Sequence, residues 1–157
     1  MNWKVATGLL PVIATTIFLS IVATRPRVPP EFAGPIQTAC EKTPKFSIAV
    51  PQGPDTILPN GKGFEMNGFG WLAAQVCSPG TLRVIAAGDS ADGVGARMDV
   101  TLNTEWLTSE TFSSQRNVVI QIPKAGLLKL AFTNDVHIGK EDRNLHVRDL
   151  QFQGQVQ

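Results

Sequence analysis

Past residue 37 the chain is organised by alternation. Met98, Val100 and Leu102 share one phase of a period-two pattern, and Arg97, Asp99 and Thr101 share the other. Leu128, Leu130 and Phe132 alternate with Lys129, Ala131 and Thr133, and Val118, Ile120 and Ile122 hold one side of a run in which Gln121 faces away. Side chains along a strand point to opposite faces in turn, so this pattern predicts half-buried antiparallel strands. Further strands are predicted at Phe46–Val50, Gly70–Val76, Thr81–Ala87 and Asn144–Phe152. In the last, Leu145 and Val147 are out of phase with Leu150 and Phe152, which predicts a bulge near Arg148-Asp149. Turn signals at Asn60-Gly61, Ser78-Pro79-Gly80, Asp92-Gly93, Pro123 to Gly126 and Gly139 separate the runs. About seven short strands at such spacing predict a β-sandwich.

The N-terminus follows a different pattern. Val5 to Ala23, passing through Leu10 and Phe18, is 19 residues without a charge. As a helix it would span about 28 Å, close to the roughly 30 Å hydrocarbon core of a bilayer. Lys4, Arg25 and Arg27 flank it and Trp3 stands where an interfacial aromatic would anchor it, with Pro11 predicting a kink. A cleavable secretory signal ending at Ile21-Val22-Ala23 is the competing reading, although its apolar region would ordinarily be shorter. The expected organisation is therefore a transmembrane anchor over residues 1–24 with a short cytoplasmic N-terminus, a linker over 25–37 containing Pro26, Pro29, Pro30 and Pro35, and a sandwich over 38–157. Proline at that density makes an extended spacer.

Two cysteines, Cys40 and Cys77, show no zinc or redox spacing. A lone pair in a small domain outside the cytoplasm ordinarily forms one disulfide, which would contribute on the order of 3–4 kcal/mol. That pairing places the C-terminal domain on the extracytoplasmic side of an inner membrane, where the flanking charges alone give no orientation.

Charge excludes one function class. The chain carries 14 Lys+Arg against 13 Asp+Glu; without Lys4 the remainder is 13 against 13, no surface for phosphate backbones. Nor is there a nucleophile elbow, a metalloprotease helix or a phosphate-binding glycine loop, and His137 and His146 are the only imidazoles. A non-catalytic protein is expected. The stretch Gly88-Asp89-Ser90-Ala91-Asp92-Gly93 has oxygens for a hard cation, but it is also ordinary turn chemistry, the reading its spacing favours.

The C-terminal third adds a resemblance. Leu130-Ala131-Phe132-Thr133-Asn134-Asp135, followed by Asp142-Arg143-Asn144-Leu145-His146-Val147-Arg148-Asp149-Leu150, resembles calcium-dependent xylan-binding carbohydrate-binding modules, with Gly80–Gly88 and Met98–Leu102 similar to that family's preceding hairpin. The resemblance implies a jelly-roll sandwich in which Asp135 and Asp142 hold Ca²⁺ while Asn134 and Asn144 shape the ligand loop. Trp106 is the candidate exposed aromatic for a sugar; Trp71, in an apolar run, reads as core, and the chain has no tyrosine.

Two functions follow. The first is a single-pass accessory or structural subunit of a multi-subunit membrane complex, photosynthetic or respiratory, with its sandwich on the periplasmic face; Gly8, Ala14, Thr15, Thr16 and Ser20 suit helix packing against partner subunits. The second is a membrane-tethered, calcium-dependent polysaccharide-binding protein.

Overall fold

The computed structural model describes residues 43–49 and 56–155. The expected anchor (Val5, Leu10, Phe18, Ala23), the 25–37 linker and Cys40 lie outside them. Among the described residues no helix is long and apolar enough to cross a membrane, and no cysteine is free.

The strands are β1 (Ser47–Ala49), β2 (Ile57–Asn60), β3 (Gly63–Met66), β4 (Gly70–Val76), β5 (Gly80–Gly88), β6 (Ser90–Ala91), β7 (Val94–Leu102), β8 (Glu105–Phe112), β9 (Arg116–Ile122), β10 (Gly126–Phe132), β11 (His137–Ile138), β12 (Glu141–Asp142) and β13 (Leu145–Gly154). They form two main antiparallel sheets. Sheet one runs β1-β4-β10-β7, and β6 and β8 both pair with β7; sheet two runs β2-β3-β13-β5-β9. β11 and β12 form a separate ribbon.

The alternation sets which residues meet between the sheets. Met98, Val100 and Leu102 of β7, Leu128 and Leu130 of β10, Leu82 and Val84 of β5, and Leu145 of β13 are fully buried in one cluster. The bulge lies where the phase change placed it. Val147 pairs with Ala86 and Asp149 with Ile85, leaving Arg148 as the extra residue, so Leu150 and Phe152 return to pack against the core. At the β6–β7 hairpin Asp92 and Gly93 both have positive φ (53° and 68°), the two-residue geometry that matches strand twist and that Asp-Gly favours.

Three strands escape the alternation. β2 and β3 are only four residues each, and β8 reads Glu-Trp-Leu-Thr-Ser-Glu-Thr-Phe. In β8 the register shifts, Val100 facing Thr108 but Thr101 facing Trp106. Leu107 is thereby left over, and it turns to the core.

One expectation about burial is corrected. Sheet one is not half-buried: Asp99, Thr101, Lys129, Ala73 and Ala131, all of the non-core phase, are buried too. Trp71 is buried, but in a second cluster with Ala73 and Ala131, with Leu127 against it, rather than in the sandwich core. Asp99 is held there by Arg97 Nε at 2.8 Å, by Thr133 Oγ1 at 2.8 Å and by the Ser109 hydroxyl.

Candidate functional site

The motif residues gather at one end of the sandwich, where β10 leaves sheet one, passes through the β11–β12 ribbon and enters β13 of sheet two. The β5–β6 corner, with Asp89, meets them there: Asp89 N donates to Asn144 O at 2.9 Å.

Asn134 continues the ladder after β10 has ended. Thr133 N donates to Arg97 O at 3.2 Å, Arg97 N donates to Asn134 Oδ1 at 2.6 Å, and Asn134 Nδ2 donates to Gly95 O at 2.9 Å. An amide side chain, with one acceptor and two donors, can satisfy both kinds of backbone group on the edge of β7. Its role is thus to close the strand edge.

Arg143 does the same for the loops. Its side chain is buried, with Nε donating to Val94 O at 2.8 Å, Nη1 to Asn134 O at 2.6 Å and Nη2 to Ala91 O. Its backbone N donates to Val136 O at 3.0 Å. The guanidinium therefore ties β6, β7 and the 134–143 loop together through three carbonyls. This role could not be read from the spacing.

Asp135 and Asp142 are brought together. The Asp135 carboxyl is pushed above its ordinary value of 3.8, first by burial and then by the charge of Asp142; the positive charge of Arg143, the Val136 N–H and His137 oppose the rise. Asp135 Oδ2 faces the β3–β4 turn, 4.0 Å from where a Cβ on Gly68 would stand. Asp142 accepts from Asn144 Nδ2 at 3.2 Å and lies 3.6 Å from His137 Nδ1. Asn144 also approaches Asp89 Oδ2 at 3.5 Å, leaving its buried Oδ1 without a hydrogen-bond partner.

His146 sits beside this pair. Its Nε2 is 2.9 Å from Asp89 Oδ2, and its Nδ1 is 3.8 Å from Glu65 Oε1. Asp89 and Asp92 do not converge on one point as a cation loop would require: Asp92 makes the hairpin turn, and its backbone N donates to Glu141 Oε2 at 2.8 Å.

Among the described residues no three His, Cys, Asp or Glu side chains are grouped to hold a metal. The donors that could hold Ca²⁺ are Asp135, Asp142 and the unpartnered Asn144 Oδ1. Two carboxylates and an amide oxygen suit a hard cation. They fall short of six to eight oxygens, so water or ligand hydroxyls would complete the shell.

Trp106 is exposed but is not at this end. It pairs with Thr101 near the far end of β7, about 20 Å along the strand from Gly95, and its Nε1 donates to Ser109 Oγ at 3.3 Å. A groove of ≈ 310 Å³ between edge strands β8 and β9, lined by residues such as Leu107, Glu110, Val119 and Gln121, contains no aromatic side chain.

No protein-family model and no curated protein matches the chain. Among solved structures it is similar to the secreted serine protease VesC from Vibrio cholerae, at TM-score 0.48 and 11% identity over 60% of this chain and 22% of that one, so it spans about a fifth of that protein's length. It is also similar to a carbohydrate-binding module, CBM36, in complex with calcium and xylotriose, at TM-score 0.44 and 13% identity over 68% of this chain and 92% of that one. A third is the CBM36-1 domain of a multidomain xylanase from the hindgut metagenome of Trinervitermes trinervoides, at TM-score 0.43 and 12% identity over 67% and 90%. At these identities and TM-scores none of the likenesses assigns the chain to a family.

Proposed function

We propose that this chain is a non-catalytic accessory subunit of a membrane complex, anchored by its N-terminal segment, with the sandwich serving as a rigid extracytoplasmic docking body. The observation that carries the reading is the use made of Asn134 and Arg143. Both motif residues direct their side-chain hydrogen bonds into backbone groups of β6, β7 and the neighbouring loop. The motif acts here as a set of staples. One large exposed aromatic, Phe69, stands beside the loop cluster in the β3–β4 turn that Asp135 faces, and because sugars are gripped largely by aromatic faces it counts toward the second reading below.

The Asp135–Asp142 pair favours a second reading, a tethered calcium-dependent polysaccharide binder. A carboxyl whose proton affinity is raised by burial and by the charge of a neighbouring carboxylate is stabilised in its charged form by a cation. The neighbour solved with calcium and xylotriose points the same way for ligand class.

Isothermal calorimetry of the full chain with Ca²⁺, xylan and both together separates the two. The accessory-subunit reading expects no saturable heat in any combination. Saturable heat that needs both Ca²⁺ and polysaccharide, and that is lost in Asp135→Asn, overturns it in favour of the second.

A further inference from the structure

On the outer face of sheet two one row of side chains runs Leu58, Glu65, His146, Ala87, set by the register of β2, β3, β13 and β5. Glu65 and His146 stand directly opposite each other on neighbouring antiparallel strands, a placement that holds two Cβ atoms about 4.5–5.5 Å apart. Ala87, on the other side, is too short to crowd the ring. Two residues further on, past the end of β5, Asp89 returns to the same face, and the bond from its N to Asn144 O extends the ladder by one residue.

These three side chains meet. His146 Nε2 lies 2.9 Å from Asp89 Oδ2, and His146 Nδ1 lies 3.8 Å from Glu65 Oε1. An ionised carboxylate only accepts, so in the neutral ring Nε2 carries the hydrogen and Nδ1 keeps a lone pair. That Nδ1 is buried and has no hydrogen-bond partner. What it faces is a second acceptor, Glu65 Oε1, itself held by Asn60 Nδ2 at 2.7 Å. No lysine or arginine among the described residues forms an ion pair with Glu65 or Asp89. Two acceptors thus converge with no cation between them, the imidazole steadied by a carboxylate and the carboxylate by an amide. Metal-binding side chains are held in this way: a ligating histidine ordinarily donates its other ring N–H to a carboxylate, and a ligating carboxylate is itself hydrogen-bonded. The spacing fits as well. Zinc stands about 2.0–2.1 Å from an imidazole nitrogen and about 2.0–2.2 Å from a carboxylate oxygen, so one ion touches both atoms only when they lie within about 4.3 Å. His137 Nδ1 also passes that distance test, at 3.6 Å from Asp142 Oδ1, but its ring is exposed and no carboxylate among the described residues steadies its other nitrogen.

We propose that His146 Nδ1 and Glu65 Oε1 form a two-ligand site for a divalent transition-metal ion of the zinc and copper class, with Asp89 and Asn60 orienting the two ligands and water completing the shell. The nitrogen donor selects ions of this class over Ca²⁺, which takes oxygen ligands. Catalytic zinc sites use three protein ligands, so this one is a clip and not a hydrolytic centre. It fastens β3, and through Asn60 the β2–β3 hairpin, to β13. The site shares no ligand with the Asp135–Asp142 pair, and it stands whether the chain docks in an assembly or binds polysaccharide.

Titration of the tag-free full-length chain with Zn²⁺ at about pH 7.5, above the ordinary imidazole range, tests this. Nitrogen-15 NMR of the two imidazoles reads the intact chain: the His146 Nδ1 resonance is expected to move at lower Zn²⁺ than any resonance of His137. Calorimetry then reads affinity. His146→Ala and Glu65→Gln should each remove this binding, Asp89→Asn should weaken it by about 10–100-fold, and Cu²⁺ should bind more tightly than Zn²⁺. Excess Ca²⁺ should leave it unchanged. A His146 Nδ1 that does not respond to excess Zn²⁺, or responds only after His137, overturns the proposal. So does unchanged affinity in His146→Ala and Glu65→Gln. Zn²⁺ binding that Ca²⁺ displaces and His146→Ala retains puts the ion at Asp135 and Asp142, and overturns it too.

Discussion

Arg143→Met is the substitution that asks most of this account. The side chain is buried and donates to the carbonyls of Ala91, Val94 and Asn134. Hydrogen bonds from a charged donor contribute about 1.5–3 kcal/mol each, a nominal total of roughly 4–9 kcal/mol for three. Two corrections lower this. Methionine removes the charge along with its desolvation cost, and Ala91 and Val94 flank the exposed Asp92-Gly93 turn, so water can reach part of what the guanidinium leaves. A loss of about 3–5 kcal/mol is expected, a large share of the 5–15 kcal/mol typical of a folded domain. With an m-value near 1.5 kcal/mol/M, the urea midpoint should fall by about 2–3 M. Arg143→Lys keeps the charge but reaches fewer carbonyls, and should fall between the two. Equilibrium urea unfolding followed by circular dichroism reads all three proteins. If Arg143→Met unfolds within about 0.5 kcal/mol of the parent, the staple role assigned to this residue is refuted.

Other expectations are as direct. Asp135→Asn should stabilise the chain near pH 7. A carboxyl whose folded value is raised favours folding fully below its unfolded value, and that contribution is lost as pH rises through the folded value, so the variant's advantage should vanish below about pH 3.5; melting temperatures across pH 3–8 check the sign, and an advantage confined to acid pH would contradict it. Asp99→Ala should cost about 3–5 kcal/mol by leaving Arg97, Ser109 and Thr133 without their shared acceptor, read by chemical unfolding. Cys40→Ser should lower stability by on the order of 3–4 kcal/mol under oxidising conditions and by nothing in the presence of reductant, read from paired melts with and without dithiothreitol.

The sandwich was largely legible because Met98, Val100 and Leu102 of β7, Leu128, Leu130 and Phe132 of β10, and Val118, Ile120 and Ile122 of β9 keep the inner phase apolar without a break. The β13 bulge could be read from a phase change between Val147 and Leu150. β8 was illegible for the opposite reason: its own bulge sets Leu107 and Phe112 in different phases, and Glu, Trp, Thr and Ser fill the rest. The doubly buried face of sheet one left only a trace, since the alanines at 73 and 131 fit either environment and a lysine at 129 reads as solvent-facing. At the loop, the meeting of Asp135 with Asp142 could be read from their shared turn. The carbonyl partners of Arg143 could not, because Ala91 and Val94 lie about fifty residues away and backbone acceptors carry no sequence signature.

The claim that the chain acts by docking in a larger assembly is tested most directly by extracting it from its native membrane in mild detergent and measuring its mass by size-exclusion chromatography with light scattering. The account predicts elution with partner subunits, at a mass well above the chain's 16.9 kDa plus its detergent. A free monomer in every mild extraction would contradict it.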